Sequence, residues 1–338
     1  MRSRASIALA LFVSAAALQA QPGDPPSRAA RISSLQGIAS LAAPSLHDRL
    51  HQSVAFQRSL VNRLLSAKAR GVGQDGAVAG CLGAAWSGRH LRISDSTSLS
   101  ERASAGTDWR VHGVYDLGSG GFTHLELTDG HGGERLSRGR GVVGEVRIGD
   151  RGYGSFGSIR EFVSQAAGSD VIVRLRWQGL RLCGPDGQGF DLFAFLSGLA
   201  EAGSVAEAAV RAQGPAGTEV GLRLLALRLP EASAAANRAR LRRQASRKQR
   251  EVDPRSLVAA GFVILATTLP AEVAAAEIMQ VYRLRWQIEL AFKRLKSLLH
   301  IARLPTWTEA GGQSWLYAHL ILVVLSDDLS QQVLESFP

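Results

Sequence analysis

Residues 282–296, with the sequence YRLRWQIELAFKRLK, impose the strongest requirement on the fold of this chain. The segment is rich in helix formers and contains no glycine or proline, so we predict one continuous helix. At about 100° per residue, its polar residues share a sector of roughly 80°; they are Tyr282, Arg285, Glu289, Lys293 and Lys296. The opposite side carries the apolar residues Leu284, Ile288, Ala291, Phe292, Leu295, Leu298 and Leu299. We therefore predict that one side of this helix packs on a core.

The polar face of the predicted helix has an uneven charge. Glu289 is a lone carboxylate among an arginine, two lysines and a tyrosine hydroxyl. Such a face suits a phosphate backbone, with the acid placed to hold a metal ion. The alternative is a solvated amphipathic helix, in which Glu289 and Lys293 support the helix through their spacing of four residues. Periodicity alone leaves both interpretations open.

The spacing of four of these residues resembles a family signature. Tyr282, Arg285, Glu289 and Lys296 follow the pattern Y-x2-R-x3-E-x6-K, which is similar to the signature of the insertion-sequence-four family of DDE transposases. The block RWQIELAFKRLK and the TTLP at residues 267–270 also resemble that family. The resemblance covers roughly residues 35–325. It implies a DNA transposase of an insertion sequence, which binds terminal inverted repeats and catalyses metal-dependent DNA cleavage and strand transfer by a DDE two-metal mechanism.

Length and charge indicate a globular protein with an anionic partner. The chain has 338 residues, with 39 Lys and Arg against 29 Asp and Glu, for a formal net charge of +10. This length can bury a sizeable core in two or three domains. The positive balance favours nucleic acid or an anionic membrane surface. Cys81 and Cys183 have no metal-ligand spacing, so they indicate a reducing cytosol or carry no information.

The start of the chain allows two interpretations. A basic start and the apolar run at residues 6–17 have the pattern of a secretory signal peptide, and the run is too short to span a membrane. The alternative is the first helix of an N-terminal helical domain, because residues 27–36 and 45–65 are also helical in pattern. Their layout is typical of a helix-turn-helix DNA reader or of a plain three-helix bundle. We favour a cytoplasmic, nucleoid-associated chain whose signal-like start is a mimic.

Alternating apolar residues predict a set of strands after this region. One strand ends at Asp95, a hairpin spans residues 109–117 and 122–130, and another strand ends at Asp150. A short helix is predicted at residues 158–167. This order matches an α/β fold with an RNase H-like catalytic core, a mixed sheet with flanking helices whose carboxylates gather where strands end.

Further strands and helices complete the predicted domain organisation. Residues 170–225 contain several short strand patterns and predict a β-rich insertion. Residues 230–250 form an arginine-rich helix, which either faces solvent or contacts a DNA backbone. We predict four parts: a helical N-terminal DNA-binding domain at 1–85, the core at 86–168 and 251–338, and the insertion at 169–250.

The resemblance also identifies candidate catalytic carboxylates. Two-metal phosphodiester cleavage needs about three converging carboxylates, because Mg²⁺ prefers oxygen ligands. The segments ISDST and GDRGYG look like the family's two aspartate motifs. The implied catalytic and metal-binding residues, holding two Mg²⁺ (or Mn²⁺) ions, are Asp95, Asp150 and Glu289. Asp116 and Asp129 also end predicted strands, where aspartate more often forms a turn. Glu134 resembles another recurrent acidic position, to which no role is assigned.

The same resemblance implies contacts with double-stranded DNA, both element ends and target, by a homodimer in a synaptic complex. Tyr282, Arg285 and Lys296 would bind phosphates, and Lys293 shares their face. Trp286 would stack on an unpaired base, or it is instead a core residue. Motifs of nucleotide-binding loops, serine hydrolases and zinc proteases are absent from the sequence. Two alternatives remain: a catalytically inactive or truncated DNA-binding remnant of a transposase, and a secreted protein that binds anionic surfaces.

Overall fold

The computed structural model describes residues 48, 52–71, 82–100, 106–299 and 309–336. The signal-like start and the helical patterns at residues 27–36 lie outside these residues, as does most of the predicted N-terminal domain. The helices in the described part are α1 (Val54–Gly71), α2 (Phe156–Gln165), α3 (Leu192–Ser197), α4 (Glu231–Arg247), α5 (Pro254–Ala259), α6 (Ala275–Arg283), α7 (Trp286–Leu299) and α8 (Glu309–Ser336). None of these described helices combines the length and the apolar character needed to cross a membrane.

Nine strands form one mixed sheet in the described part of the chain. They are β1 (His90–Leu99), β2 (Trp109–Asp116), β3 (Gly121–Asp129), β4 (Glu145–Gly149), β5 (Asp170–Arg174), β6 (Arg181–Cys183), β7 (Val205–Gln213), β8 (Glu219–Arg228) and β9 (Phe262–Thr267). Their hydrogen-bonding order is β3-β2-β1-β4-β5-β9-β8-β7-β6. Strands β1, β4 and β5 are parallel, and β9 is antiparallel to β5. The predicted α/β class, a mixed sheet with flanking helices, is confirmed.

The chain divides into two compact units, and the first comprises the described residues of 1–73, 95–133 and 288–338. Helix α1 packs against β3 and against α8. The Nε of Arg58 on α1 donates a hydrogen bond of 3.0 Å to the hydroxyl of Tyr317 on α8. Strands β2 and β3 form the predicted hairpin, with a bulge between Val114 and Tyr115. The ring of Phe292 on α7 lies 5.3 Å from that of Phe122 on β3, so α7 covers this hairpin.

The second unit comprises the described residues of 74–94 and 134–287. The strands predicted as an insertion belong to its sheet, because the second half of β8 pairs with β9, from Arg223 opposite Thr267 to Arg228 opposite Phe262. The core between this sheet and its helices is built from aliphatic and aromatic side chains, among them Ile159 and Phe162 of α2. The predicted boundaries of the insertion and of the other domains stay predictions.

A buried ionic network ties β1 to β4 within the second unit. The side chains of Arg147 and Glu145 are fully buried and form an ion pair. Arg92 donates to the second oxygen of Glu145 at 3.2 Å. Arg147 also donates to the carbonyl oxygens of Leu136 and Arg138, at 2.9 and 3.0 Å. Because a buried charge is costly without partners, this network fixes the segment before β4 onto the strand.

We expect Glu145→Gln to lower the free energy of unfolding by about 3–5 kcal/mol, because it leaves two buried arginines without their carboxylate. Urea unfolding followed by circular dichroism measures this change. Glu161→Gln is the matched control, since Glu161 pairs with the exposed Arg135, and such pairs contribute up to about 1 kcal/mol. Equal losses in both variants would show that the buried network does not stabilise the unit.

Candidate active site

The parallel pairing of β1 with β4 aligns the two predicted aspartate motifs. In the second unit, Ser94 lies opposite Gly149 in the last registered pair of these strands. Asp95 and Asp150 are the residues that follow. The carboxyl ends of parallel strands are where ligands bind in open α/β sheets. The registered pairing therefore ends immediately before each of these two aspartates.

The two aspartates differ in their local backbone. Asp150 follows β4 as predicted, and its Oδ1 accepts a hydrogen bond of 2.8 Å from the backbone N–H of Gly152. Asp95, however, does not end its strand, because β1 continues to Leu99. The prediction of a strand end at Asp95 is wrong, because β1 extends beyond its pairing with β4 and continues beside β2. The Oδ1 of Asp95 accepts from the N–H of Ser96 at 2.8 Å.

Glu134, to which the sequence analysis assigns no role, lies beside Asp150. A methyl group at Gly152 would lie 1.7 Å from Oε2 of Glu134 and 3.3 Å from Oδ1 of Asp150. The glycine thus lets the two carboxylates lie side by side. In the sequence, Glu134 is recognisable only as an acidic residue within DGHGGERL, and no spacing rule connects that loop to the end of β4.

The predicted single helix at 282–296 is wrong, because two helices occupy this segment. Helix α6 ends at Arg283 and α7 begins at Trp286. Between them the N–H groups of Leu284, Arg285 and Gln287 donate to carbonyls three residues earlier, at 2.9–3.1 Å. Such bonds form a tighter turn of the 3₁₀ type, which interrupts the α-helix. The polar residues of the segment therefore do not share one helical face.

Tyr282 lies at the end of α6 and is buried, with 8% of its surface exposed. Its hydroxyl has no hydrogen-bond partner among the described residues. Burial raises the pKa of Tyr282, the charges of Arg285, Arg174 and Arg151 lower it, and Asp150 raises it. The hydroxyl therefore stays protonated at neutral pH and can donate a hydrogen bond. It lies within electrostatic reach of Asp150 and these three arginines.

The arginines near Asp150 are crowded together. Arg151 is exposed as a whole, but its guanidinium is partly buried, and this burial lowers the pKa of Arg151. The charges of Arg174 and Arg176 lower the same pKa further. Arg151 nevertheless remains charged at neutral pH, as arginines do in proteins. Positive charge is therefore concentrated next to a carboxylate, an arrangement suited to an anionic ligand.

Helix α7 of the first unit presents the amphipathic pattern that the sequence predicts. Ile288, Phe292 and Leu295 are buried, whereas Glu289 and Lys293 are exposed. Lys296 is half-buried, which lowers its pKa, and its Nζ donates to the carbonyl oxygen of Ser98 at 2.8 Å. The bond holds α7 beside the second half of β1.

Trp286 begins α7 with 49% of its surface exposed. A core position for this residue, one of the two alternatives from the sequence, is therefore wrong. Its indole is accessible to a ligand.

The carboxylates are ligands of the chemical type that binds a hard divalent cation. Asp150 and Glu134 place two carboxylate groups next to each other, and Mg²⁺ and Mn²⁺ prefer such oxygen ligands. Within the described ranges, no three His, Cys, Asp or Glu side chains are close enough together to hold a metal ion.

Residues 86–325 match the model of the transposase DDE domain. This chain belongs to that family. The putative transposase InsL of insertion sequence element IS186A, from Escherichia coli K12, is 38% identical over 310 residues, which cover 90% of this chain and 80% of the relative. The transposase of insertion sequence element IS421 from Escherichia coli has the same identity and coverage. The predicted enzyme class, a DDE transposase, is confirmed.

The chain is also similar to a solved piggyBac transposase, determined by cryo-EM as a synaptic complex with hairpin DNA. That similarity has a TM-score of 0.39 at 10% identity and covers 72% of this chain. The chain spans about half of the piggyBac protein, 48% of its length.

We expect Tyr282→Phe to leave the free energy of unfolding unchanged or to raise it by about 1 kcal/mol, because it removes a buried hydroxyl without a described partner. Urea unfolding is again the measurement. Tyr317→Phe serves as the control: its hydroxyl accepts from Arg58, so we expect a loss of about 1–3 kcal/mol. A comparable loss in Tyr282→Phe would mean that this hydroxyl has a structural role.

Proposed function

We propose that this chain is the transposase of an insertion sequence of the insertion-sequence-four group. It binds the terminal inverted repeats of its element, cleaves DNA in a metal-dependent reaction and joins the ends to target DNA. The carrying observation is the match of residues 86–325 to the transposase DDE domain. We further propose that it acts as a homodimer in a synaptic complex, in the cytoplasm and associated with the nucleoid.

The proposed catalytic and metal-binding residues are Asp95, Asp150 and Glu289. Support for the aspartates comes from the β1–β4 register, which ends at Ser94 and Gly149 immediately before them. Their carboxylates have the oxygen chemistry that Mg²⁺ or Mn²⁺ requires. When bound, two such ions would activate the attacking oxygen and stabilise the leaving oxygen.

Support for Glu289 comes from the direction of α7 within the first unit. Lys296 contacts Ser98 near the end of β1. One turn earlier, Phe292 lies against Gly113, which is toward the start of β1 because β2 turns back after Leu99. The helix and the strand therefore run in the same direction.

The distances from this contact back to the two acids are similar. Glu289 precedes Lys296 by two helical turns, about 10 Å. Asp95 precedes Ser98 by three strand residues, also about 10 Å. This agreement supports a shared role for Glu289 and Asp95.

The remaining proposed residues bind and orient DNA. Tyr282 would donate its hydroxyl to a phosphate oxygen beside Asp150, and Arg285 would pair with the same backbone. Lys293 and Lys296 add positive charge on α7; the ammonium of Lys296 has three donors, of which Ser98 takes one. Trp286 would stack on an unpaired base.

Cleavage of a labelled duplex with the terminal repeats of the source element tests this function. We expect nicking with Mg²⁺, none with EDTA, and at least a ~100-fold lower rate for Glu289→Gln, since even outer-shell changes weaken metal sites by about 10–100-fold. Binding of the repeats by Glu289→Gln should persist.

Glu219→Gln is the matched control, because this carboxylate pairs with Arg211 in the β7–β8 hairpin, and we expect the wild-type rate. Wild-type cutting by Glu289→Gln would overturn its role as a metal ligand. Binding without cutting under every condition would instead indicate an inactive, DNA-binding remnant of a transposase.

A further inference from the structure

A polar cleft of about 500 Å³ opens within the second unit, beside the residues that follow β4 and β5. Its lining includes Arg151, Arg174, Arg176 and Arg240, together with two aromatic residues, Trp177 and Phe262. Arg151 directly follows Asp150 in the chain. The cleft thus begins next to a proposed catalytic carboxylate and extends to helix α4, which carries Arg240.

The charge of the cleft is not balanced by the described protein. None of its lining residues is acidic, and none of its four arginines forms an ion pair with a described carboxylate. By contrast, Arg211, Arg223, Arg238 and Arg255 of the same unit each pair with an Asp or Glu. The Nε of Arg174 is buried and has no hydrogen-bond partner among the described residues. Like charges held together in this way are stabilised by an anion.

Helix α4 extends this positive charge beyond the cleft. Arg240, Arg243 and Arg247 are spaced i, i+3 and i+7 and share one face of the helix. All three are exposed. The spacing corresponds to about 10 Å along the helix axis. Arg238 is different, because its guanidinium pairs with Glu231 and bonds the carbonyl oxygen of Leu257.

Trp177 lines the cleft, and contacts with other side chains hold its indole in place. Its Nε1 donates to Oγ of Ser256 at 3.0 Å. The guanidinium of Arg255 lies 4.4 Å from the ring centroid, and Phe193 packs edge-on at 5.5 Å. Because one face and one edge of the indole are engaged by the protein, the cleft offers charge rather than an open stacking surface for bases.

We propose that these residues, Arg151, Arg174, Arg176, Arg240, Arg243 and Arg247, form a phosphate track that binds the sugar-phosphate backbone of DNA. The choice of DNA as the anion rests on the proposed function. The track leads from Asp150 to α4, so it holds DNA on the side of the scissile phosphate that faces α4. Its contacts are to phosphates, so they add affinity without sequence preference.

Salt-dependent binding of a labelled duplex to the full chain tests this track. The titration is carried out in EDTA, so that no cutting occurs. We expect Arg176→Gln/Arg240→Gln to weaken binding and to reduce the slope of log K against log salt by about 2, roughly one unit for each lost phosphate contact. Both residues are exposed, so the fold is retained. Arg243→Gln/Arg247→Gln should act similarly.

Arg160→Gln/Arg181→Gln is the matched control, with the same loss of charge at exposed positions outside the cleft. An equal slope change in the control would overturn the phosphate track. So would complete displacement of DNA by inorganic phosphate at constant ionic strength, which would indicate a site for small anions.

The same set of proteins separates the two proposals. If the wild type nicks DNA with Mg²⁺ while Arg176→Gln/Arg240→Gln keeps the wild-type slope, the track is wrong and the function stands. If the slope falls as expected but the wild type does not nick its repeats, the track stands and the proposed catalysis fails.

Discussion

The pairing of β1 with β4 is the interaction on which the candidate site depends. In the second unit, Arg92 and Arg147 lie opposite each other on these strands, and Glu145 accepts from both. A buried carboxylate between two arginines offsets a repulsion that would otherwise separate the strands. A slip of one residue would break these bonds and reverse the sheet face of every side chain on β4. The network therefore sets the register that aligns Ser94 with Gly149.

The network also organises the chain segment that precedes β4. Arg147 binds the carbonyl oxygens of Leu136 and Arg138, and the N–H of Val142 donates to Glu145 at 3.0 Å. This segment follows Glu134, so the same charges that fix the register also restrain the acidic residue beside Asp150. Packing and polar satisfaction are thus coupled to the geometry of the candidate site.

Positive charge is used in two different ways in this protein. Arg147 is buried, saturated with acceptors and stacked 4.7 Å from the ring of Phe162, so its contribution is to the fold. Arg174 and Arg176 have no carboxylate partner in the described part of the chain and border an open cleft. The net charge of +10 does not separate these uses. The two uses are distinguished only by whether carboxylates lie around each guanidinium.

Local pattern predicted much of the fold and part of the site. The hairpin β2–β3, the strand before Asp150 and the buried face of α7 follow from residue alternation and helical spacing. The pattern failed at residues 284–285, because good helix formers also accept a tight three-residue turn when tertiary packing favours it. It also failed at Glu134, whose approach to Asp150 depends on a contact between a loop and a strand end.

The α/β class and the DDE transposase family were predictable from the sequence alone, and the candidate carboxylates remain predictions from it, because alternation, spacing and motifs are properties of neighbouring residues. The pairing of Ser94 with Gly149, the burial of Tyr282 and the shared cleft of distant arginines are seen only in the folded chain. Strand register and burial depend on long-range pairing, hydrogen-bond satisfaction and desolvation. These energies arise between residues far apart in the chain, so no local pattern records them.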